Sequence, residues 1–306
     1  MVKADGMEKD MKIGFIGLGN MGAPMVRRLV AAGHKVTGYD VMESAMAALS
    51  EVKMNFSNDI LTLASEQEVV ITMLPNGETL MKVVEAVTPV MSEGSCFIDC
   101  STIDINTTRR VAKLFKNAAI HVLDAPVSGG VGGAVAGTLT FMVGGSENSF
   151  AIGSPLFKIM GQRVIHCGSD GAGQAAKICN NMILGVTMIA TCEAFALADD
   201  LALDRQKLFD VVSTSSGNSW SMSTYCPAPG IGPKSPSDND YLPGFSASLM
   251  LKDLMLSQEA AAIHDTPNKA GQLALEFYQD FVESGKGGTL DFSAILQDLT
   301  SRVKNK

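Results

Sequence analysis

Short runs of β-branched and apolar residues alternate along the first 170 positions with longer stretches whose apolar residues recur at helical spacing. Met11 to Gly17, Lys35 to Asp40, Glu68 to Leu74, Cys96 to Thr102, Ile120 to Pro126, Thr138 to Gly144 and Gln162 to Cys167 read as strands. Met21 to Ala32, Thr79 to Val87, Ile105 to Phe115 and Glu147 to Met160 read as the intervening helices, with Gly33 ending the first. Strands rich in Val and Ile, alternating with helices, predict an α/β fold: a mostly parallel, doubly wound sheet covered on both faces.

Beyond Gly173 the strand pattern stops. Helical stretches cover 174 to 203, 204 to 215, 246 to 264, 267 to 284 and 291 to 303, and a loop too rich in proline for a helix interrupts them from Pro227 to Gly244. The segment from Ile183 to Ala198 is apolar nearly all round, which predicts a helix packed inside protein on most sides. The pattern divides the chain at the glycine turn Gly168 to Gly173 into residues 1–170 and an all-helical C-terminal domain, 171–306.

Length agrees, since 306 residues exceed the usual single domain. A net charge of −8 without a clustered basic face argues against a nucleic-acid partner. The six cysteines, at 96, 100, 167, 179, 192 and 226, form no C-x-x-C pair and read as reduced core residues of a cytosol-like compartment. Met1 to Asp10 has neither the apolar core of a signal peptide nor the Arg/Ser bias of a transit peptide. The apolar segment after Asn181 is interrupted by Glu193, so it reads as a buried helix rather than a membrane span. The four histidines are scattered and suggest no metal centre.

Chemistry enters at Gly17-Leu-Gly-Asn-Met-Gly22, a G-x-G-x-x-G turn between the first strand and helix. The first glycine permits the turn, the second lets backbone N–H groups approach a pyrophosphate, and the third lets helix and sheet pack closely. Gly17, Leu18, Gly19, Asn20, Met21 and Gly22 are thus candidate dinucleotide contacts, and the sheet is of Rossmann type. Asp40 ends the second strand about 20 residues on, where a carboxylate accepts from a ribose 2′-hydroxyl and repels a 2′-phosphate. Residues 41 to 44 supply no arginine, so NAD is expected over NADP. Loops after strand C-termini line the crevice in such sheets, which adds Leu74, Pro75, Thr102 and the segment after Pro126. There, Val127 to Gly137 holds five glycines, and Ser128, Gly129 and Gly130 read as a loop offering a hydroxyl and open backbone N–H groups to a carboxylate. Lys177 and Asn181 lie four apart at the head of the long apolar helix, on one face. A buried lysine there is the best-placed group to take a hydroxyl proton.

Four ordered motifs carry a family resemblance over almost the whole chain. Gly14-Phe-Ile-Gly-Leu-Gly-Asn-Met-Gly-Ala-Pro-Met25, Asp124-Ala-Pro-Val-Ser-Gly-Gly130 with Gly137, Gly171-Ala-Gly-Gln-Ala-Ala-Lys-Ile-Cys-Asn-Asn181 and Lys252-Asp-Leu-Met-Leu256 resemble the cofactor, substrate, catalytic and C-terminal cofactor-side signatures of the β-hydroxyacid dehydrogenases. Ser219-Trp-Ser221, Cys226-Pro-Ala-Pro-Gly230 and Gly244-Phe245 look most like the branch that acts on 3-hydroxyisobutyrate. The resemblance implies oxidation of 3-hydroxyisobutyrate to methylmalonate semialdehyde in valine catabolism, with NAD as oxidant. It implies Lys177 as catalytic acid/base and Asn181 as its substrate-orienting partner. Ser128, Gly129 and Gly130 would hold the carboxylate, Thr102 and Lys252 would lie beside the nicotinamide and its ribose, and Leu74 and Pro75 would cover the cofactor. Trp220, Phe245 and Asp253 would fall on the substrate side. A small anionic hydroxy acid is then the expected partner, with no nucleic acid or membrane, in a homodimer or homotetramer whose helical domain pairs through positions such as Leu249, Leu251, Leu254 and Leu256. The expected location is the cytoplasm of a bacterium, or the mitochondrial matrix for a mature eukaryotic form. Three alternatives stand beside this reading: an NADPH-dependent reductase of glyoxylate, succinic semialdehyde or tartronate semialdehyde, a non-catalytic dinucleotide-binding module, and a decarboxylase of a phosphorylated sugar acid. Asp40 speaks against the first, the retained Lys177 and Ser128 against the second, and the single cation, Lys234, between 218 and 244 against the third.

Overall fold

The computed structural model describes residues 10–285 and 287–304, with side chains to residue 300. Residues 1–9, read above as carrying no leader signature, lie outside the described residues. The chain forms two compact units, 1–177 and 178–306. The sequence pattern placed the division at the glycine turn; the contacts divide the chain inside the helix that follows.

The first unit contains β1 (Lys12–Ile16), α1 (Gly22–Ala31), β2 (Lys35–Tyr39), α2 (Glu43–Ala47), β3 (Asn55–Phe56), α3 (Ile60–Ser65), β4 (Val69–Thr72), α4 (Gly77–Val87), β5 (Cys96–Asp99), α5 (Ile105–Asn117), β6 (His121–Asp124), β7 (Val127–Ser128), α6 (Gly130–Ala136), β8 (Leu139–Gly145), α7 (Glu147–Met160) and β9 (Gly161–Gly168). Its sheet runs β3-β2-β1-β4-β5-β6-β8, with β7 and β9 also paired to β8. From β3 to β6 every pairing is parallel, as expected. The sheet then changes sense: β6 and β7 both pair antiparallel with β8. Alternate residues of the strands feed two cores. Ile13, Phe15, Val69, Ile71 and Ile98 pack with Met25 and Leu29 of α1 and Leu156 and Phe157 of α7. Ile16, Val70 and Phe97 pack with Leu63 of α3, Leu80 and Val84 of α4, and Val111 and Phe115 of α5. This period-two split is what a sheet wound on both faces requires.

α8 (Ala172–Asp200) opens in the first unit and continues into the second, where α9 (Arg205–Val212), α10 (Trp220–Ser223), α11 (Ala247–Ile263), α12 (Lys269–Glu283) and α13 (Ile295–Lys304) follow. The core of the second unit joins Met188, Ile189, Cys192 and Phe195 of α8 to Met250 and Leu254 of α11, Tyr278 of α12 and Phe292. Among the described residues α8 is the one helix long and apolar enough to cross a membrane by length and composition.

Two expectations are corrected. The α8 helix is not covered on most sides, since Ile183 and Leu197 are 57% and 59% exposed; its apolar residues exceed what one core-facing stripe can bury. The cysteines are all free thiols, yet only Cys96, Cys100, Cys192 and Cys226 are buried, while Cys179 is exposed on α8.

Candidate active site

The turn between β1 and α1 is built by two of its glycines. Gly17 has φ +98, and a Cβ there would lie 2.2 Å from the Met73 carbonyl oxygen. One on Gly22 would lie 1.9 Å from the Gly17 carbonyl oxygen. Gly19 differs, because a Cβ there would meet nothing within 4 Å. Gly19 and Asn20 are exposed, Leu18 is buried, and Met21 gives the α1 N-terminus no side-chain cap. The turn therefore has a fixed floor and an open mouth at a helix N-terminus that no side chain caps, which suits a pyrophosphate.

Asp40 follows β2 by one residue. Its Oδ2 accepts from Leu18 N–H at 2.7 Å and its Oδ1 from Met42 N–H at 2.8 Å. Each oxygen keeps a lone pair for a ribose hydroxyl, so these residues fit a nicotinamide dinucleotide.

The loops after β4 and β5 are tied together below the surface. Asp99 Oδ1 accepts from the hydroxyls of Thr72 and Ser101 at 2.8 and 2.6 Å, and Leu74 N–H donates to Ser101 Oγ at 2.8 Å. Leu74 and Thr102 are half-buried and Pro75 is exposed at the loop mouth. Ser101 and Asp99 escaped the sequence reading because their partners are distant in the chain.

The segment after β6 is strand, turn and helix rather than the expected glycine loop. Val127 and Ser128 pair with Phe141 and Thr140 as β7, and Gly130 begins α6. Gly129 at φ +128 and Gly130 at φ +61 make the bend. The helix closes at Gly137 in the left-handed region, and Arg28 donates to the Val135 carbonyl from Nε at 3.1 Å. Composition had hidden this helix, since its ends are fixed by Arg28 and by a left-handed glycine.

Lys177, 7% exposed, donates from Nζ to the Val127 carbonyl at 2.8 Å, one residue before Ser128. The structure thus brings together two groups that the sequence offered separately. The start of α8 rests on Asp124, whose Oδ1 and Oδ2 accept from Gly171 and Gln174 N–H. Burial drives the Asp124 carboxyl up to about 6, against the pull of those two N–H groups and with a further push from Asp99.

In the second unit Asn181 is oriented from both ends of its amide. Its Nδ2 donates to Asp253 Oδ2 at 2.5 Å, and its Oδ1 accepts from Asn180 at 2.9 Å. Lys252 Nζ lies 3.4 Å from Asp253 Oδ1, so the Lys-Asp pair of α11 and Asn181 of α8 form one cluster. Trp220 is half-exposed and stacks on Tyr225 at 4.7 Å between ring centroids; Tyr225 stacks on Phe292 at 5.4 Å, and Phe245 meets Phe292 edge-on at 5.6 Å. The two aromatic candidates therefore belong to one ladder. Buried Asp291 anchors it, accepting at Oδ2 from Tyr225, Gly244 N–H and Phe245 N–H and at Oδ1 from Ser293 N–H and hydroxyl. No local pattern in the sequence marks Asp291.

Residues 12–168 match the family model described as the NAD binding domain of 6-phosphogluconate dehydrogenase, and 171–299 match that described as NAD-binding of NADP-dependent 3-hydroxyisobutyrate dehydrogenase. A probable 3-hydroxyisobutyrate dehydrogenase of Mycobacterium tuberculosis is 44% identical over 95% of this chain and 98% of its own length. The chain belongs to the β-hydroxyacid dehydrogenase family. It is an oxidoreductase of the hydroxyacid dehydrogenase type that binds a nicotinamide cofactor. The mitochondrial 3-hydroxyisobutyrate dehydrogenase of Rattus norvegicus is 40% identical over 96% of this chain and 88% of its own length. Among solved structures, the Mycobacterium tuberculosis 3-hydroxyisobutyrate dehydrogenase with L-serine superimposes with a TM-score of 0.90 at 44% identity, covering 95% of this chain and 99% of that one. A 3-hydroxyisobutyrate dehydrogenase of Salmonella typhimurium gives 0.81 at 28% identity, over 94% of this chain and 99% of that one.

Proposed function

We propose that this dehydrogenase oxidises 3-hydroxyisobutyrate to methylmalonate semialdehyde with NAD, as a step of valine breakdown. The observation that carries the reading is the Lys177 head group, buried and held 2.8 Å from the carbonyl that precedes Ser128. The names of the relatives support the substrate. In the proposed step the neutral Lys177 amine accepts the proton of the C3 hydroxyl at Nζ. The nicotinamide, when bound, supplies the hydride acceptor. Ser128 Oγ and the N–H groups of Gly129 and Gly130 hold the substrate carboxylate, and Asn181 orients the hydroxyl while Asp253 orients Asn181. Thr102 and Lys252 serve the nicotinamide and its ribose, Leu74 and Pro75 cover it, and Trp220 and Phe245 shape the substrate side. In oxidation the amine is a base; in reduction its ammonium returns the proton.

NAD is favoured because Asp40 places negative charge where a 2′-phosphate would sit, and Val41-Met-Glu-Ser44 offers no cation. The description of the second family model, which names an NADP-dependent enzyme, motivates the competing reading of an NADPH-dependent reductase in this family. A homodimer or homotetramer is proposed from the apolar side chains left exposed on the second unit, Ile183, Leu197, Leu201 and Val211. Leu254, one of the expected pairing positions, is instead fully buried in its own core. The proposed location is the cytoplasm in a bacterium and the mitochondrial matrix in a eukaryote, and no nucleic-acid or membrane partner is proposed.

The test is a panel of 3-hydroxyisobutyrate, 3-hydroxypropionate, serine, 4-hydroxybutyrate and glycerate, each with NAD and with NADP, ranked by kcat/KM. The reading expects 3-hydroxyisobutyrate with NAD at the top. Preference for NADP, or for another acid, would replace it.

A further inference from the structure

The helix that carries Lys177 begins without an acidic side chain of its own in the first turn. Its leading N–H groups need acceptors. Asp124, 4% exposed at the end of β6, supplies both: Oδ1 accepts from Gly171 N–H at 2.8 Å and Oδ2 from Gln174 N–H at 2.9 Å. One carboxylate thus spans the opening of the turn, from a strand far upstream in the chain.

The contact is close because two glycines leave no side chain in the way. A Cβ on Gly173 would lie 2.3 Å from the Met142 carbonyl oxygen and 2.8 Å from Asp124 Oδ2; one on Gly144 would lie 2.4 Å from Asp124 Oδ1. Neither glycine has a positive φ, so space rather than backbone conformation demands them.

Gln174 fixes the same turn from a second direction. Fully buried, it donates from Nε2 to the Ser101 carbonyl at 2.7 Å and accepts at Oε1 from Ile103 N–H at 3.2 Å, bracketing Thr102. Lys177 lies one turn further on and reaches back to Val127, three residues after Asp124. The helix is therefore capped from the end of β6 and its lysine is received three residues on, at the start of β7, while the loop of Thr102 is locked to the helix through Gln174. Apolar packing alone lets a helix rotate or slide by fractions of an ångström; four directional hydrogen bonds do not.

We propose that Asp124 and Gln174 act as a clamp of positioning residues, setting the rotation and height of α8 so that Lys177 Nζ meets the Ser128 segment and the Thr102 loop at once. The proposal rests on the reading of Lys177 as the acid/base.

The test uses the full chain with Asp124→Asn, which keeps one acceptor, and Gln174→Met, which keeps size without polar atoms. NAD affinity by titration, KM and kcat with 3-hydroxyisobutyrate, and the thermal midpoint are measured for each. The clamp predicts a kcat lowered about tenfold or more, as displacement of a reacting group brings, with KM and NAD affinity within about threefold of the parent. A kcat within about twofold of the parent in folded variants overturns it, as does a loss confined to NAD affinity and midpoint. Where Asp124→Asn does not fold, Gln174→Met decides. Lys177→Ala, run in parallel, separates the two ideas. Activity lost there but kept in both clamp variants removes the clamp alone; activity kept in Lys177→Ala removes the acid/base reading, and the clamp with it.

Discussion

Replacing Asp291 by alanine removes the acceptor of five hydrogen bonds at once, from Tyr225 at 2.8 Å, Gly244 and Phe245 N–H at 3.0 Å each, and Ser293 N–H and hydroxyl at 3.0 and 2.7 Å. The residue is fully buried, so the stranded donors lie away from bulk solvent. At about 1 kcal/mol net per bond the loss has a ceiling near ~5 kcal/mol; water entering the space left by the carboxylate satisfies some donors, which brings the expectation to about 3 kcal/mol. That is a large part of the ~5 to 15 kcal/mol that holds a typical protein folded. The chain's single tryptophan, Trp220, reports the event, because it stacks on Tyr225, whose hydroxyl donates a hydrogen bond to Asp291. Denaturant titration followed by Trp220 emission should show the midpoint falling with an unchanged slope. A loss below about 1 kcal/mol would refute the claim that this carboxylate holds Gly244, Phe245 and the aromatic ladder in place.

Gly19→Ala is expected to fold with the parental thermal midpoint, since its Cβ meets nothing within 4 Å, yet to weaken NAD binding about tenfold or more in a titration; Gly22→Ala, with its Cβ 1.9 Å from a carbonyl oxygen, should unfold the first unit as read by circular dichroism. Asp40→Asn should raise the ratio of NADP to NAD turnover, because the charge that repels a 2′-phosphate is gone; an unchanged ratio would place cofactor choice elsewhere. Asp124 makes stability depend on pH in a defined sense. Its carboxyl is raised from 3.8 to about 6 in the fold, so its contribution is fully present below 3.8 and is lost as pH rises through about 6. Asp124→Asn should flatten that part of the stability curve in denaturant titrations between these pH values, and a slope that survives would assign it to another group.

The legible parts of this molecule were those written locally. The Gly17, Gly19 and Gly22 spacing announced a strand-turn-helix, and each glycine proved to have a different spatial duty. The four-residue step from Lys177 to Asn181 depended only on helical periodicity. What escaped was set by partners far apart. Asp124 meets Gly171 across 47 positions, Gln174 meets Ile103 across 71, and Tyr225 meets Asp291 across 66. The run Val127 to Gly137 misled for a related reason: five glycines argue for a loop, but pairing with β8 and the Arg28 contact impose strand and helix. The antiparallel turn of the sheet at β8 had no local signal either, because a Val-rich strand reads alike in both senses.

Lys177 is the group proposed to move the proton. Lys177→Ala, assayed for NADH formation with 3-hydroxyisobutyrate at saturating NAD, with NAD binding titrated on the same sample, tests it most directly. With Lys177 as the acid/base, NAD binding is retained and kcat falls by about 10²-fold or more, the usual contribution of a positioned acid/base. Near-parental turnover in a variant that binds NAD normally would contradict it.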